Sequence, residues 1–336
     1  MNYLVLKQRI YLVISVLTLI VLGSGYGSCT KFSDRLSDSA MVALDSFHHC
    51  QYMARSRGIG AAGRRSEQLD YADLLRRHTT AEQLVEIANT DTSRIARLWA
   101  YRILLKKADN QVIDVLKQAL KDTTYVEMES GCSDFEEPYN RAAISIYRYD
   151  SYELKLPNQL RFSLDSLVFF DYMKPCGFER GLLMDFKPHK IYYATIIEEA
   201  DKGNDAILPL LAQYKNPNDR QRINKLLKDN LKKAGECSYE ACEAISNWND
   251  PAFEWYAKAA CQATIKQEYY DADEVLQLLC AYPAPWSYQI LKKLLTQKGD
   301  YSYSDTAKDY LTELYKTHPV PPIFKPLYDR YVARKK

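Results

Sequence analysis

The chain has 336 residues, of which 47% are hydrophobic and 26% charged. That supplies enough apolar surface for one large or two medium domains with a core. Its 45 basic and 43 acidic residues leave a net charge of +2, and Lys7 and Arg9 lie in the first ten positions, so residues 29–336 are neutral; this balance excludes a nucleic-acid binder and adhesion to anionic lipid by charge alone.

Behind that cationic start, Ile10 to Leu22 is an apolar run of 13 residues interrupted only by Ser15 and Thr18, and Gly23–Ser28 leads from it into Cys29. A bilayer-spanning helix needs about 20 mostly apolar residues, whereas the core of a secretory signal needs roughly 7 to 15. Residues 1–28 therefore read as an export signal. With the small residues Gly27 and Ser28 ahead of the cysteine, the segment resembles the signal of a bacterial lipoprotein; Tyr26 stands where that family prefers an aliphatic residue. The resemblance implies that Cys29 becomes the first residue of the mature protein and is acylated. It also implies an outer-membrane location, lipid-anchored, facing the periplasm or the cell exterior. Several acyl chains hold a membrane where one does not, because each buried methylene adds about 0.8 kcal/mol. The alternative is an ordinary secretory signal cut near Gly25 or Ser28, which leaves Cys29 a thiol.

Residues 29–66 read as an anchor linker and N-terminal extension, in which Met41, Leu44, Asp45 and His48 fall at helical spacing. Gly58-Ile59-Gly60-Ala61-Ala62-Gly63 matches the dinucleotide-binding fingerprint letter for letter. That chemistry needs a strand before the glycines and a helix opening on them. His49–Arg55 lacks strand character and no βαβ pattern comes after it, so a mobile loop is expected. Adjacent side chains on a helix diverge by about 100°, so His48-His49-Cys50 does not read as a metal site.

Residues 67–122 form a first helical segment. Thr80 and Gln83 have the form of a capping box ahead of Leu84, Ile87 and Ala88, and Asn89–Thr92 breaks that helix. Ser93 caps a second helix carrying Ile95, Leu98, Trp99, Arg102 and Ile103, and a third carries Val112, Val115, Leu116 and Ala119. Residues 123–190 interrupt this pattern and read as a loop-rich insertion punctuated by Pro157, Pro175 and Pro188. Within it residues 131–137 are expected to form an exposed turn, since Gly131 admits unusual backbone angles and Glu137 precedes a proline. A disulfide between Cys132 and Cys176 would pin the insertion's ends, and export makes that chemistry available. The remaining cysteines, with Cys237 and Cys242 five apart, read as buried thiols.

In residues 191–336 the helical pattern returns, with breaks at Pro217, Pro251 and Pro285, each 34 residues apart. At each break an apolar helix ends near an aromatic residue, passes a tight turn and gives way to another amphipathic helix. A tetratricopeptide array has this period but not this sequence; the Pro- and Asp-marked turns resemble HEAT-type repeats. The resemblance covers roughly residues 80–122 and 190–316 and implies an all-α fold, a short α-solenoid of antiparallel helix pairs. The 27 tyrosines suit packing between such helices, and also suit a binding face.

No catalytic residue, metal ligand or cofactor is assigned. The expected function is a membrane-anchored, non-enzymatic interaction scaffold whose partner is an envelope protein or another envelope component. The alternative is an envelope hydrolase with its site around Cys132, Asp134, Glu136 and Glu137.

Overall fold

A computed structural model describes residues 35–59, 63–183, 186–234, 238–266, 272–297 and 303–333. Residues 1–28, expected to be an export signal, Cys29, Gly60–Ala62 of the glycine fingerprint and Cys237 lie outside the described residues. The fold is predominantly helical and divides into two compact units, one ending at Leu167 and the other starting at Val168.

In the first unit, helix α1 (Asp38–His48) starts where the Ser37 hydroxyl accepts the Ala40 amide, and it buries Ala40, Ala43, Leu44 and Phe47. Strands β1 (Met53–Ile59) and β2 (Arg64–Arg65) come next, then helices α2 (Gln68–His78), α3 (Ala81–Thr90), α4 (Arg94–Lys106) and α5 (Val112–Ala119). The expected caps are present. Thr80 and Gln83 exchange both bonds of a capping box, Asp91 closes α3, and the Ser93 hydroxyl accepts the Ala96 amide. Strands β3 (Tyr125–Gly131) and β4 (Ser133–Pro138) form a hairpin, which leads into α6 (Tyr139–Glu153) and α7 (Asn158–Leu167).

The predominantly helical fold is broadly the all-α one expected, and it carries in addition a small four-stranded sheet of order β2-β1-β3-β4. Strand β1 pairs antiparallel with β2 and parallel with β3, so helices α2 to α5 form the crossover between parallel neighbours. A strand therefore does precede the glycine fingerprint. Beyond the glycines the chain enters a return strand, with Gly58 opposite Arg65, and not the helix that the dinucleotide fingerprint requires. In β3 the buried Val126 and Met128 alternate with exposed Tyr125 and Glu127, a period of two that the acidic composition masks. The stretch 123–190, expected to be loop-rich, carries this hairpin and the two helices α6 and α7. Its prolines mark helix boundaries: Pro138 immediately precedes α6, and Pro157 stands just before α7.

The helices of this unit alternate between two layers. Helix α4 packs between α2 and α6, and α5 between α3 and α7, while β3 and β4 rest on α6. Through the interior runs an ion pair in which the Arg102 guanidinium donates to both Asp150 oxygens at 2.8 Å and to the Ala54 carbonyl at 3.2 Å. Beside it, Gln68 accepts the Trp99 indole N–H at 2.7 Å and the Ala54 amide at 3.0 Å.

The second unit begins with a π-helical turn, Val168–Met173, whose Phe169 sits in a ring cluster with Phe170, Phe178, Phe186 and Tyr192. Its main helices are α8 (Lys190–Asp201), α9 (Leu208–Gln213), α10 (Arg220–Ala234), α11 (Tyr239–Trp248), α12 (Glu254–Thr264), α13 (Ala272–Ala281), α14 (Pro285–Thr296) and α15 (Ser304–Thr317). Helices α9, α11, α13 and α15 pack in succession, as do α8, α10 and α12. The chain breaks at Pro217, Pro251 and Pro285 as expected, the first two as 3₁₀ turns and the third as the first residue of α14.

Burial in this unit repeats at the 34-residue spacing of those prolines. Ile207, Ala241 and Val275 are buried, and so are Leu211, Ile245 and Leu279 in one layer and Ile223, Ala257 and Leu291 in the other. The backbone obeys the same spacing, since Lys215 and Asn249 have φ of 50° and 53°. So do the aromatic residues that end each inner helix. Tyr214 donates its hydroxyl to the carbonyl of His189, the cap of α8, at 2.7 Å. Tyr282 donates to the carbonyl of Asp250, the cap before α12, at 3.2 Å and to that of Ile245 at 3.1 Å. Trp248, between them, packs its ring edgewise on Phe253 at 5.2 Å.

Candidate functional site

The residues named for a hydrolase do not converge. Cys132 is exposed beside the Gly131 turn, where φ is +59°. Residues 131–137, expected as a turn, are instead mostly strand β4 hydrogen-bonded to β3. Glu136 lies opposite Glu127 and Asp134 opposite Glu129, which puts like charges in register on one face of the hairpin. Glu137 faces the other way, opposite Val126, and is 8% exposed. There it accepts the Ser145 hydroxyl at 3.4 Å on one oxygen, with Arg141 at 4.0 Å, while its second oxygen is buried and unbonded. Burial pushes this carboxyl up, against the pull of Arg55 and Arg141. The paired carboxylates of the sequence are thus split between two faces because neighbours on a strand alternate.

A second candidate surrounds Cys50, which ends the turn after α1. Two concavities of about 510 and 480 Å³ meet there and share Cys50 and Gln51 in their linings. His48 pairs with Asp91 at 2.8 Å, while His49 turns back to the Asp45 carbonyl at 2.7 Å, so the adjacent histidines diverge. The Cys50 sulfur donates to the Ser46 carbonyl at 3.3 Å, and burial with the nearby Glu67 carboxylate pushes its thiol above the ordinary range. A raised thiol holds its proton at neutral pH and is a weak nucleophile. Among the described residues no group of three or more His, Cys, Asp or Glu is placed to hold a metal ion.

A third concavity, of about 610 Å³, lies between α10 and α12 in the second unit. Gln221, Asn224, Lys225 and Lys228 line it from α10, and Ala252 and Trp255 from the other side. Trp255 is 37% exposed, and its indole N–H donates to Asn224 at 2.7 Å, which fixes the ring plane and leaves part of the ring to solvent. Helix α10 carries Arg220, Arg222, Lys225, Lys228, Lys232 and Lys233 against the single acid Asp229. The sequence pattern of turns found the two helices. It did not find Trp255, which reads as one more packing aromatic until its exposure is known.

Most of the large tyrosines serve packing. Tyr101, Tyr139, Tyr147, Tyr192 and Tyr256 are buried, whereas Tyr125 and Tyr149 are the tyrosines among the exposed large apolar side chains described. Cys176 ends an exposed helical turn of the second unit, and Cys132 is exposed in the first. Cys242 is disulfide-bonded, which corrects its reading as a buried thiol. Comparison with protein-family models, with curated proteins and with solved structures finds no match for this chain.

Proposed function

We propose that this protein is an exported lipoprotein, anchored through Cys29, whose helix pairs form a HEAT-like solenoid serving as a non-enzymatic interaction scaffold of the bacterial envelope. The observation that carries this reading is the common burial register of three successive helix pairs at a 34-residue spacing in the second unit. Stacked units of this kind bury one continuous core through their neighbours and leave an extended outer face for recognition. The disulfide at Cys242 supports export, since such bonds persist in oxidising compartments. An envelope hydrolase in residues 123–190 has less support, because its carboxylates are split between the two faces of the hairpin.

The test pairs fractionation with photo-crosslinking in native envelopes. Cys29→Ala should release the protein from the membrane fraction. A photoreactive residue at Gln221, Lys258 or Lys292, all exposed on the outer helices, should give a discrete adduct with an envelope component. Membrane association unchanged by Cys29→Ala refutes the anchor, and no adduct from any of the three positions refutes the scaffold.

A further inference from the structure

We infer that the groove between α10 and α12 receives an extended acidic segment of a partner protein, with Lys225 and Lys228 pairing with its carboxylates, Gln221 with its backbone and Trp255 with an apolar stem. The inference rests on the scaffold reading and names the chemistry of the partner.

The acids bordering this groove are already engaged. Asp201 accepts from Arg222 at 2.6 Å and Asp219 from Arg222 at 2.8 Å, Asp250 accepts from Arg220 at 2.8 Å, and Glu254 accepts the Trp286 indole at 2.8 Å. Asp229, one turn beyond Lys225, is the exposed acid left on α10. Lys225 and Lys228 are both exposed, three residues apart, and so lie on one face of the helix. The protein as a whole is neutral beyond its leader, so this groove is a local excess of positive charge and not part of a general basic surface.

Shape selects among anions. A membrane surface is flat and cannot enter a concavity between two helices, whereas an extended peptide fits one. Amide side chains suit peptide groups, as both donors and acceptors. Asn224 spends its oxygen on Trp255, so the ring is held in place before any ligand arrives, which lowers the ordering cost of binding. Tryptophan is among the residues enriched at recognition hot spots, and here the two lysines beside Trp255 supply charge complementarity to carboxylates.

The experiment uses the full chain in detergent, labelled with 5-fluorotryptophan and monitored by fluorine NMR, with Trp255→Phe assigning that signal. The probe is an octaglutamate peptide, with octalysine, polygalacturonate and phosphatidylglycerol vesicles as comparisons. Octaglutamate should shift the Trp255 signal while leaving Trp99 in place, and octalysine should not shift it. K225E/K228E should weaken that binding about tenfold or more, and rising salt should weaken it for the parent protein. No Trp255 shift with octaglutamate overturns the inference, as does equal binding by K225E/K228E. Stronger binding of polygalacturonate or of the vesicles reassigns the groove to a glycan or lipid and overturns it too. A crosslinked partner that attaches at Gln221 but whose contacting segment is not acidic defeats this inference and leaves the scaffold standing.

Discussion

Replacing Asp150 by Ala tests the buried ion pair of the first unit directly. Arg102 and Asp150 are 4% and 2% exposed, and their two hydrogen bonds are both 2.8 Å long. Without the carboxylate, the contacts left to the Arg102 guanidinium among the described residues are the Ala54 carbonyl at 3.2 Å and the Trp99 ring at 5.0 Å, neither of which carries a compensating charge. Removing one partner of such a pair costs about 3–5 kcal/mol, most of it the desolvation of the charge left behind. Replacing both partners by apolar residues of similar size, as in R102M/D150L, should cost much less, because no charge remains to be buried. Urea unfolding of the fluorotryptophan-labelled protein separates the units, since Trp99 is the only tryptophan before Val168. With a urea dependence of about 2 kcal/mol per molar, the Trp99 midpoint should fall by about 2 M in Asp150→Ala. A fall of less than about 0.3 M, or a double variant no better than the single one, would refute the reasoning.

Four further outcomes are expected. Burial raises the Glu137 carboxyl above its unfolded value, so the folded state favours the protonated form. Its contribution to stability is then complete below the ordinary Glu range and declines as pH rises through that range towards the raised value. Glu137→Gln should remove this decline, which comparison of unfolding midpoints at pH 4 and pH 7 checks. Tyr282→Phe deletes the hydroxyl that bonds the Ile245 and Asp250 carbonyls; it should lower the stability of the second unit by about 1–3 kcal/mol, read from the Trp248 fluorine signal. Maleimide should label Cys132 and Cys176 quickly and Cys261 only after unfolding, since Cys261 is buried and its thiol is pushed up to about 12. Cys242 should appear in a disulfide in non-reducing peptide maps; rapid alkylation of Cys242 would refute that bond.

Much of this fold was legible in the chain because its signals are local. A capping box needs only Thr80 and Gln83, and the breaks at Pro217, Pro251 and Pro285 need only proline's missing amide and fixed φ. The stripes Ile207, Leu210 and Leu211 and their counterparts one period later report which helix face is buried, since helical spacing alone determines it. Even the aromatic residue at each inner helix end was visible, though not that Tyr214 and Tyr282 reach back to the cap of an earlier helix.

What the sequence alone could not decide depends on partners distant along the chain. Strand β1 has no strong strand character of its own and becomes a strand because β3, some 75 residues later, lies beside it. Arg102 occupies a helical stripe like its apolar neighbours, and only the arrival of Asp150 makes its burial tolerable. Glu136 and Glu137 are adjacent in sequence and face opposite sides of a strand, so their proximity in the chain says nothing of a shared site. Trp255 shows the same division at the groove: its identity and helix were readable, but its exposure was set by which neighbours α10 left uncovered. Local propensity and periodicity determine where helices start, stop and turn inward. The groove, the buried charges and the sheet are decided by tertiary packing, because each is a property of two segments that the chain order does not pair.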